Sequence, residues 1–236
     1  MDKMDNIFTD YRNHNGSALD AVKTVMTNMQ FAAISQDKEL KSLTITSSIP
    51  NEGKSLISTF LSIALAENGK KVLLVDCDWR HPQIRKSMTM KKGRGVVGYF
   101  SGMYSLAEAV TPTEVRGLYI LDCETKIPNP IEIINSENFS KLLSLAQESF
   151  DVVIVDTPPL NSFIDAALVA AKTDGTIVVV RSGVIDKKTI MGTIAQLEKA
   201  NANVIGAVMN CVEKTAAPYY YYYKYYNHYN YEQQKK

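Results

Sequence analysis

The chain has 236 residues, 45% of them hydrophobic and 22% charged, with a formal net charge of +1. That length supports a substantial core in one large domain or two small ones, and the near-neutral balance gives no electrostatic footprint for nucleic acid or a lipid surface. Three cysteines, Cys77, Cys123 and Cys211, are odd in number and widely spaced, which suits a reducing compartment and offers no metal-ligand spacing; no apolar run approaches ~18 residues and no signal peptide opens the chain, so the expectation is a soluble cytoplasmic protein.

Residues 1–16 are polar and are expected to be mobile. Ser17, with Asp20 at its third position, nearly matches a capping box. Val22, Val25, Met26, Met29 and Ala33 recur at helical spacing and predict a helix over 19–33.

Residues 43–55, LTITSSIPNEGKS, carry the densest signal. The β-branched run around Leu43 and Ile45 predicts a buried strand, and Pro50, Asn51 and Gly53 are loop formers. Beyond Lys54 and Ser55 an apolar-periodic segment begins with Leu56, Ile57, Phe60, Leu61, Ala64 and Leu65. Strand, glycine loop, Lys-Ser and helix is the layout of a phosphate-binding P-loop. A bend at a helix start points several backbone N–H groups at one spot, and the helix dipole adds positive potential there. Asn51, Glu52, Gly53, Lys54, Ser55 and Leu56 are therefore the expected nucleotide contacts. Lys54 supplies a mobile charge for the β- and γ-phosphates, and Ser55 a hydroxyl for Mg²⁺. The first position of the usual pattern, a glycine, is Ser48, small enough to permit the turn.

Gly69 marks the end of the helix. VLLVDCDWR, residues 72–80, opens with a second buried strand, Val72 to Val75. Residues 80–105 are basic and glycine-bearing and read as a loop with short helices. Leu118 to Leu121 is another apolar run, and Pro128 and Pro130 precede a helix near 137–148. VVIVD, residues 152–156, is a third strong strand, closed by Thr157-Pro158-Pro159. Thr176 to Val180 and Val204 to Met209 are two more, with a helix near 187–200 between them. Strands alternating with helices predict an α/β fold with a doubly wound, mostly parallel sheet covered on both faces. Ligands in such folds lie beyond the carboxyl ends of the strands, where the P-loop, Asp76 and Asp156 all fall.

Asp156 ends a hydrophobic strand as a Walker B aspartate does, and is expected to hold Mg²⁺ beside Ser55; a turn or N-cap aspartate is the alternative. Asp76 and Asp78 follow the second strand two residues apart. Two carboxylates beside bound phosphate repel it unless a cation or proton intervenes. One is therefore expected near Mg²⁺, the other as acceptor of a proton from an attacking hydroxyl. Arg80 has three readings: a partner for one of these aspartates, a phosphate contact, or a solvated surface arginine. Asn210 closes the last strand, where its amide either reads the adenine edge or forms a turn.

From Pro218 the composition changes abruptly. Nine of the thirteen tyrosines, Tyr219, Tyr220, Tyr221, Tyr222, Tyr223, Tyr225, Tyr226, Tyr229 and Tyr231, fall within residues 219–231. The tract has no period that would bury a face and predicts a disordered tail over 216–236, after a folded domain over 17–215.

The P-loop SSIPNEGKS, the box VLLVDCDWR, the strand VVIVDTPP, the stretch IPNPIEIINS at 127–136 and the tyrosine cluster together resemble the bacterial tyrosine kinases over residues 17–231. The resemblance implies a deviant-Walker P-loop fold and an ATP- and Mg²⁺-dependent protein-tyrosine kinase. It would phosphorylate its own tail tyrosines, in trans through self-association, and other proteins; a cognate tyrosine phosphatase would reverse the reaction. By position, Lys54 and Ser55 bind phosphate and Mg²⁺, Asp156 completes the metal site, and Asp76 and Asp78 form the catalytic box, with Asp76 the proton acceptor. The split form of the family implies a separate transmembrane adaptor of polysaccharide chain-length control. That adaptor would hold the cytoplasmic kinase at the inner face of the membrane, in the setting of capsule or exopolysaccharide production. The family's early helix carries Glu, Arg and Arg at i, i+3 and i+6, which pair subunits into a ring. Here Asp20, Lys23 and Met26 stand there; Met26 forms no ion pair and lysine lacks arginine's planar fork. Partitioning and division-site ATPases carry a signature lysine at the position of Ile49. A non-catalytic nucleotide-controlled scaffold is the remaining alternative.

Overall fold

The computed structural model describes residues 7, 11, 17–88, 90 and 93–212. The tyrosine tract, the domain limit drawn at residue 216 and nearly all of the N-terminal segment expected to be mobile lie outside them.

In chain order the elements are α1 (Ser17–Ser35), β1 (Ser42–Ser47), α2 (Lys54–Glu67), β2 (Val72–Asp76), α3 (Ile84–Ser87), α4 (Gly95–Phe100), α5 (Leu106–Ala109), β3 (Thr111–Pro112), β4 (Leu118–Leu121), α6 (Pro130–Asn135), α7 (Glu137–Ser149), β5 (Val152–Asp156), α8 (Asp165–Ala170), β6 (Gly175–Arg181), α9 (Lys187–Lys199) and β7 (Val204–Asn210). The strands form one sheet of order β3-β4-β2-β5-β1-β6-β7. Every neighbouring pair is parallel except β3 with β4. The antiparallel β3 is the one strand that the hydrophobic pattern does not announce. It is two residues long and carries Pro112, which an edge strand tolerates because its N–H side needs no partner.

β1, β2 and β5 are buried at every position, the mark of parallel strands covered on both faces. Successive residues divide between those faces with period two. Leu43, Ile45, Val72, Leu74 and Ile154 join Val22 and Met29 of α1 and Phe60 and Leu61 of α2 in one core. Leu73, Val75, Val153 and Val155 turn the other way, toward Phe139, Leu142 and Ala146 of α7. Val178 and Val180 of β6 pack with Ala166 and Ala170 of α8 and Leu197 of α9.

α2 ends where expected: Gly69 has φ +83°, and the N–H groups of Gly69 and Lys70 return to the carbonyls of Ala66 and Leu65 at 2.9 and 3.2 Å. This positive-φ closure is why glycine stands there. Ser17 is the first described residue of the helix, and the capping box expected there rests on a side chain outside those described. Met26 packs partly buried against the core, whereas Asp20 and Lys23 are exposed.

The fold sets the site at the carboxyl edge of the sheet. Asp76 and Asp156 are the last paired residues of β2 and β5, directly opposite one another in register. The turn after β2 is pinned by Trp79, which is fully buried, lies edge-on to Phe100 and Phe139, and donates its Nε1–H to the Asp76 carbonyl at 2.7 Å. Trp79→Phe removes that donor and part of the ring volume. It should lower stability by ~1–3 kcal/mol, read from the midpoint of urea unfolding; an unchanged midpoint would mean that Trp79 does not anchor the turn.

Candidate active site

The P-loop is braced from three directions. Ser48 is fully buried, and its Oγ accepts a 2.8 Å bond from Thr193 Oγ1 on α9. The left-handed positions of the loop are Asn51 (φ +67°) and Gly53 (φ +92°), not Ser48, so nothing in the backbone demands glycine at the first position. Glu52 is 1% exposed; its Oε2 accepts from Ile49 N at 2.8 Å and its Oε1 from Arg181 N at 3.1 Å. Its carboxylate thus faces inward as a strut between the loop and β6, and only its backbone is left to meet an anion. Asn210 donates Nδ2–H to the Glu52 carbonyl at 2.9 Å and accepts from Cys211 N at 2.9 Å. A Cβ on Gly53 would run into that amide. The amide expected to read adenine is therefore engaged with the loop and explains why residue 53 has no side chain.

These braces leave the head of α2 open. Gly53 supplies no side-chain cap, and the first backbone bond of the helix is Ile57 N to Gly53 O at 3.0 Å. The amides of Gly53, Lys54, Ser55 and Leu56 precede it and have no partner within the helix. Converging N–H groups at the positive end of a helix dipole fit a phosphate.

Three carboxylates lie below this cradle. Asp156 Oδ2 accepts from Ser55 Oγ at 2.6 Å, and Oδ1 from Ser58 Oγ at 3.0 Å. Asp76 accepts from the N–H groups of Asp78 (3.1 Å) and Ile84 (3.3 Å). Asp78 accepts from His81 N at 3.1 Å and pairs with Lys54 Nζ at 3.1 Å; Lys54 lies 4.0 Å from Asp156. Asp76 and Asp156 are each 1% exposed and Asp78 is 7%. Burial, then the charges of Asp156 and Asp78, push the Asp76 carboxyl well above the usual carboxylate range. Burial raises Asp156 as well, opposed chiefly by Lys54 and the Ser55 hydroxyl. Burial works to lower Lys54, but the neighbouring Asp156 and Asp78 outweigh it and raise its pKa. The Cys77 thiol, between the two aspartates of the box, is held protonated by burial and by Asp76, an inert environment for a thiol.

Among the described residues no group of three or more His, Cys, Asp or Glu is arranged to hold a metal by itself. That agrees with Mg²⁺, which keeps waters and shares one or two protein ligands with substrate phosphates. Ser55 Oγ and Asp156, already paired at the foot of the cradle, fit such a half-site. Arg80 pairs with neither aspartate of the box. It makes a two-bond bridge to Asp165, Nε to Oδ2 at 2.7 Å and an Nη to Oδ1 at 3.2 Å.

A family described as an AAA domain matches residues 40–205. Tyrosine-protein kinase YwqD of Bacillus subtilis is 32% identical over 188 residues, 80% of this chain and 78% of its own length. Tyrosine-protein kinase CpsD of Streptococcus agalactiae is 33% identical over 198 residues, 83% of this chain and 84% of its own. The solved kinase domain of Escherichia coli tyrosine kinase ETK superposes with a TM-score of 0.79 at 31% identity, covering 85% of this chain and 78% of that one. The chain belongs to this AAA family and, within it, to the bacterial tyrosine-protein kinases. Its sheet is that of a P-loop NTPase, and it is a tyrosine-protein kinase by kinship across most of its described length.

The structure brings Lys54 and Ser55 of the P-loop, Asp76 and Asp78 of the box, and Asp156 together at one sheet edge. Several supporting residues escape a reading of the sequence. Ser58 lies three residues after Ser55, so helical spacing alone would have placed it on the same face. Thr193, Arg181 and Asp165 reach the site from distant elements and carry no local signal.

The raised pKa of Asp76 has a consequence for folding. The folded state binds its proton more tightly than the unfolded chain, whose carboxylates titrate near ~3.9. Stability is therefore greatest below that value and falls as pH rises through the raised folded value. Asp76→Asn, measured without nucleotide, should be more stable than the parent at pH 8, with a smaller difference at pH 5. Guanidinium midpoints at the two pH values test this, and a variant less stable than the parent at pH 8 would mean that Asp76 is not strained by its burial.

Proposed function

We propose that this kinase transfers the γ-phosphate of Mg·ATP to tyrosines of its own C-terminal segment, residues 219–231, and to other proteins. The observation that carries the reading is an uncapped helix head, one lysine and three buried carboxylates at a single sheet edge. The backbone amides of residues 53–56 and Lys54 cradle the phosphates. Lys54 then exchanges its pairing with Asp78 for one with phosphate. Ser55 and Asp156 would hold Mg²⁺, which when bound offsets the phosphate charge that the carboxylates repel. Asp76 in its ionised form takes the phenol proton, which its buried surroundings then favour keeping, while the tyrosine oxygen bonds to the γ-phosphorus. The bond from that phosphorus to the β–γ bridging oxygen breaks, and ADP departs. The biological setting is capsule or exopolysaccharide synthesis, with a transmembrane chain-length adaptor seating the kinase at the inner face of the membrane. Support for that setting comes from the kinship with kinases of the CpsD type.

Transfer between copies does not require a ring. With Met26 turned partly into the core and only Asp20 and Lys23 exposed on that stretch of α1, the charged pairing helix is incomplete, and a transient dimer suffices. Lys54→Met should abolish phosphotyrosine while the chain still folds, with a lowered unfolding midpoint at pH 8 because Asp78 loses its buried partner. Asp76→Asn should keep Mg·ADP binding and lose ~10²–10⁴-fold in transfer. Phosphotyrosine mapping by mass spectrometry and calorimetric ADP binding check both. Undiminished labelling in Lys54→Met would remove the site, and ATP turnover without any phosphotyrosine would favour a nucleotide-controlled scaffold.

A further inference from the structure

Beside the carboxylates stands a group of side chains that phosphate chemistry does not use. Arg80, one residue after Trp79, is fixed by its two bonds to Asp165, which is 1% exposed at the head of α8. Its guanidinium carbon lies 4.4 Å from the centre of the Phe163 ring. The His81 ring lies 6.4 Å from the same ring, tilted by 37°. His81 also ties this group to the site, since its N–H donates to Asp78 Oδ1 at 3.1 Å. His81 is exposed and Phe163 partly buried, and the neighbouring Ile164 is 59% exposed.

Two features decide what the group suits. First, Asp165 neutralises Arg80, so the guanidinium serves as a flat, weakly hydrated plate under Phe163 and not as a free phosphate ligand. Second, the sheet order separates the two sides of the P-loop. β2 and β5, which carry Asp76 and Asp156, lie on one side of β1, and β6 and β7 lie on the other. Arg181 and Asn210 brace the loop from the β6–β7 side, whereas His81 and Phe163 border the carboxylates from the opposite side. The aromatic patch thus stands beside the carboxylates, on the opposite side of the P-loop from Asn210, where it can meet the phosphoryl acceptor.

We infer that His81 and Phe163, backed by the Arg80–Asp165 bridge, form the docking platform for the phenol ring of an acceptor tyrosine, one from residues 219–231 of this sequence. This rests on the kinase reading above. A tyrosine ring has an apolar body and a polar tip; with its body against His81 and Phe163, its hydroxyl points toward Asp78 and Asp76. The nine tyrosines within residues 219–231 are the densest source of such rings in the chain.

The test is steady-state transfer by the full-length chain to a synthetic peptide of residues 216–231, with Mg·ADP affinity measured in parallel. Loss of one aromatic contact should raise the KM for the peptide about 2- to 12-fold in His81→Ala and in Phe163→Leu. The kcat and the KM for ATP should stay within about twofold, as expected when only acceptor binding is weakened. His81→Phe and Phe163→Tyr, which keep a ring, should hold the peptide KM within about twofold. An unchanged peptide KM in both truncations overturns the platform, and a KM for ATP rising in step overturns it in favour of a nucleotide-base contact. If Phe163→Leu fails to bind Mg·ADP, its loop has collapsed and the exposed His81→Ala decides alone. A parent enzyme that labels no tyrosine overturns the kinase reading itself. An active parent with unaffected variants overturns the platform only.

Discussion

Three buried carboxylates held against one lysine are the constraint around which this structure is arranged. Asp76 and Asp156 end adjacent parallel strands in register, and Asp78 closes the turn between them and Lys54. Concentrating negative charge where water is excluded is unfavourable, and burial accordingly pushes Asp76 and Asp156 toward their protonated forms. The surrounding architecture limits that cost with donors. Ser55, Ser58, three backbone amides and Lys54 all point at the cluster. What the fold leaves unbalanced is what a divalent cation brought in with phosphates would balance, so the site is most at ease when loaded. Strain of this kind is stored at functional sites and is tolerated because the sheet beneath is buried on both faces.

The phosphate loop shows the converse design, with polar groups satisfied from outside so that its own amides stay free. Thr193 of α9 holds Ser48, the backbone of Arg181 at the end of β6 meets the Glu52 carboxylate, and Asn210 at the end of β7 holds the Glu52 carbonyl. Three consecutive elements, β6, α9 and β7, thus converge on two loop residues, Ser48 and Glu52. Each bond removes a way for the loop to collapse onto its own helix head. The Ser48 departure from glycine is part of this scheme, because its hydroxyl gives the buried Thr193 a partner besides the Thr189 carbonyl.

The strands and long helices were legible because they depend on local pattern. Runs such as Val72 to Val75 and Val152 to Val155 are apolar at every position, and only a sheet covered on both faces accepts them. The P-loop was legible for the same reason, since its strand, turn and helix are contiguous. Arg80 was not. Its choice of Asp165 over Asp76 or Asp78 depends on where α8 begins after the Thr157-Pro158-Pro159 turn, and nothing in residues 76–80 records that position. Glu52 and Asn210 fell between the two cases. The sequence placed Glu52 at the loop and Asn210 at the end of the last strand, but the side chains of both serve the loop as struts, a distinction made by β6 and β7 arriving beside it. Met26 was read as a lost ion pair; its partial burial against the core gives that residue a packing reason of its own.

Lysine and arginine are divided in this site by what each must do. In the proposed reaction Lys54 moves from Asp78 to a phosphate, and a compact charge on a flexible stem with three rotatable donors can make that exchange. Arg80 has to stay, and a planar fork held by two bonds to a buried carboxylate is difficult to displace. Exchanging them would fail in both directions. An arginine at residue 54 would lock onto the carboxylates and resist the transfer to phosphate. A lysine at residue 80 would lose the second bond to Asp165 and the flat face against Phe163. The mobile cation lies over the carboxylates and the fixed one beside them, so the same short turn, residues 76–81, contributes to both the chemical step and the wall next to it.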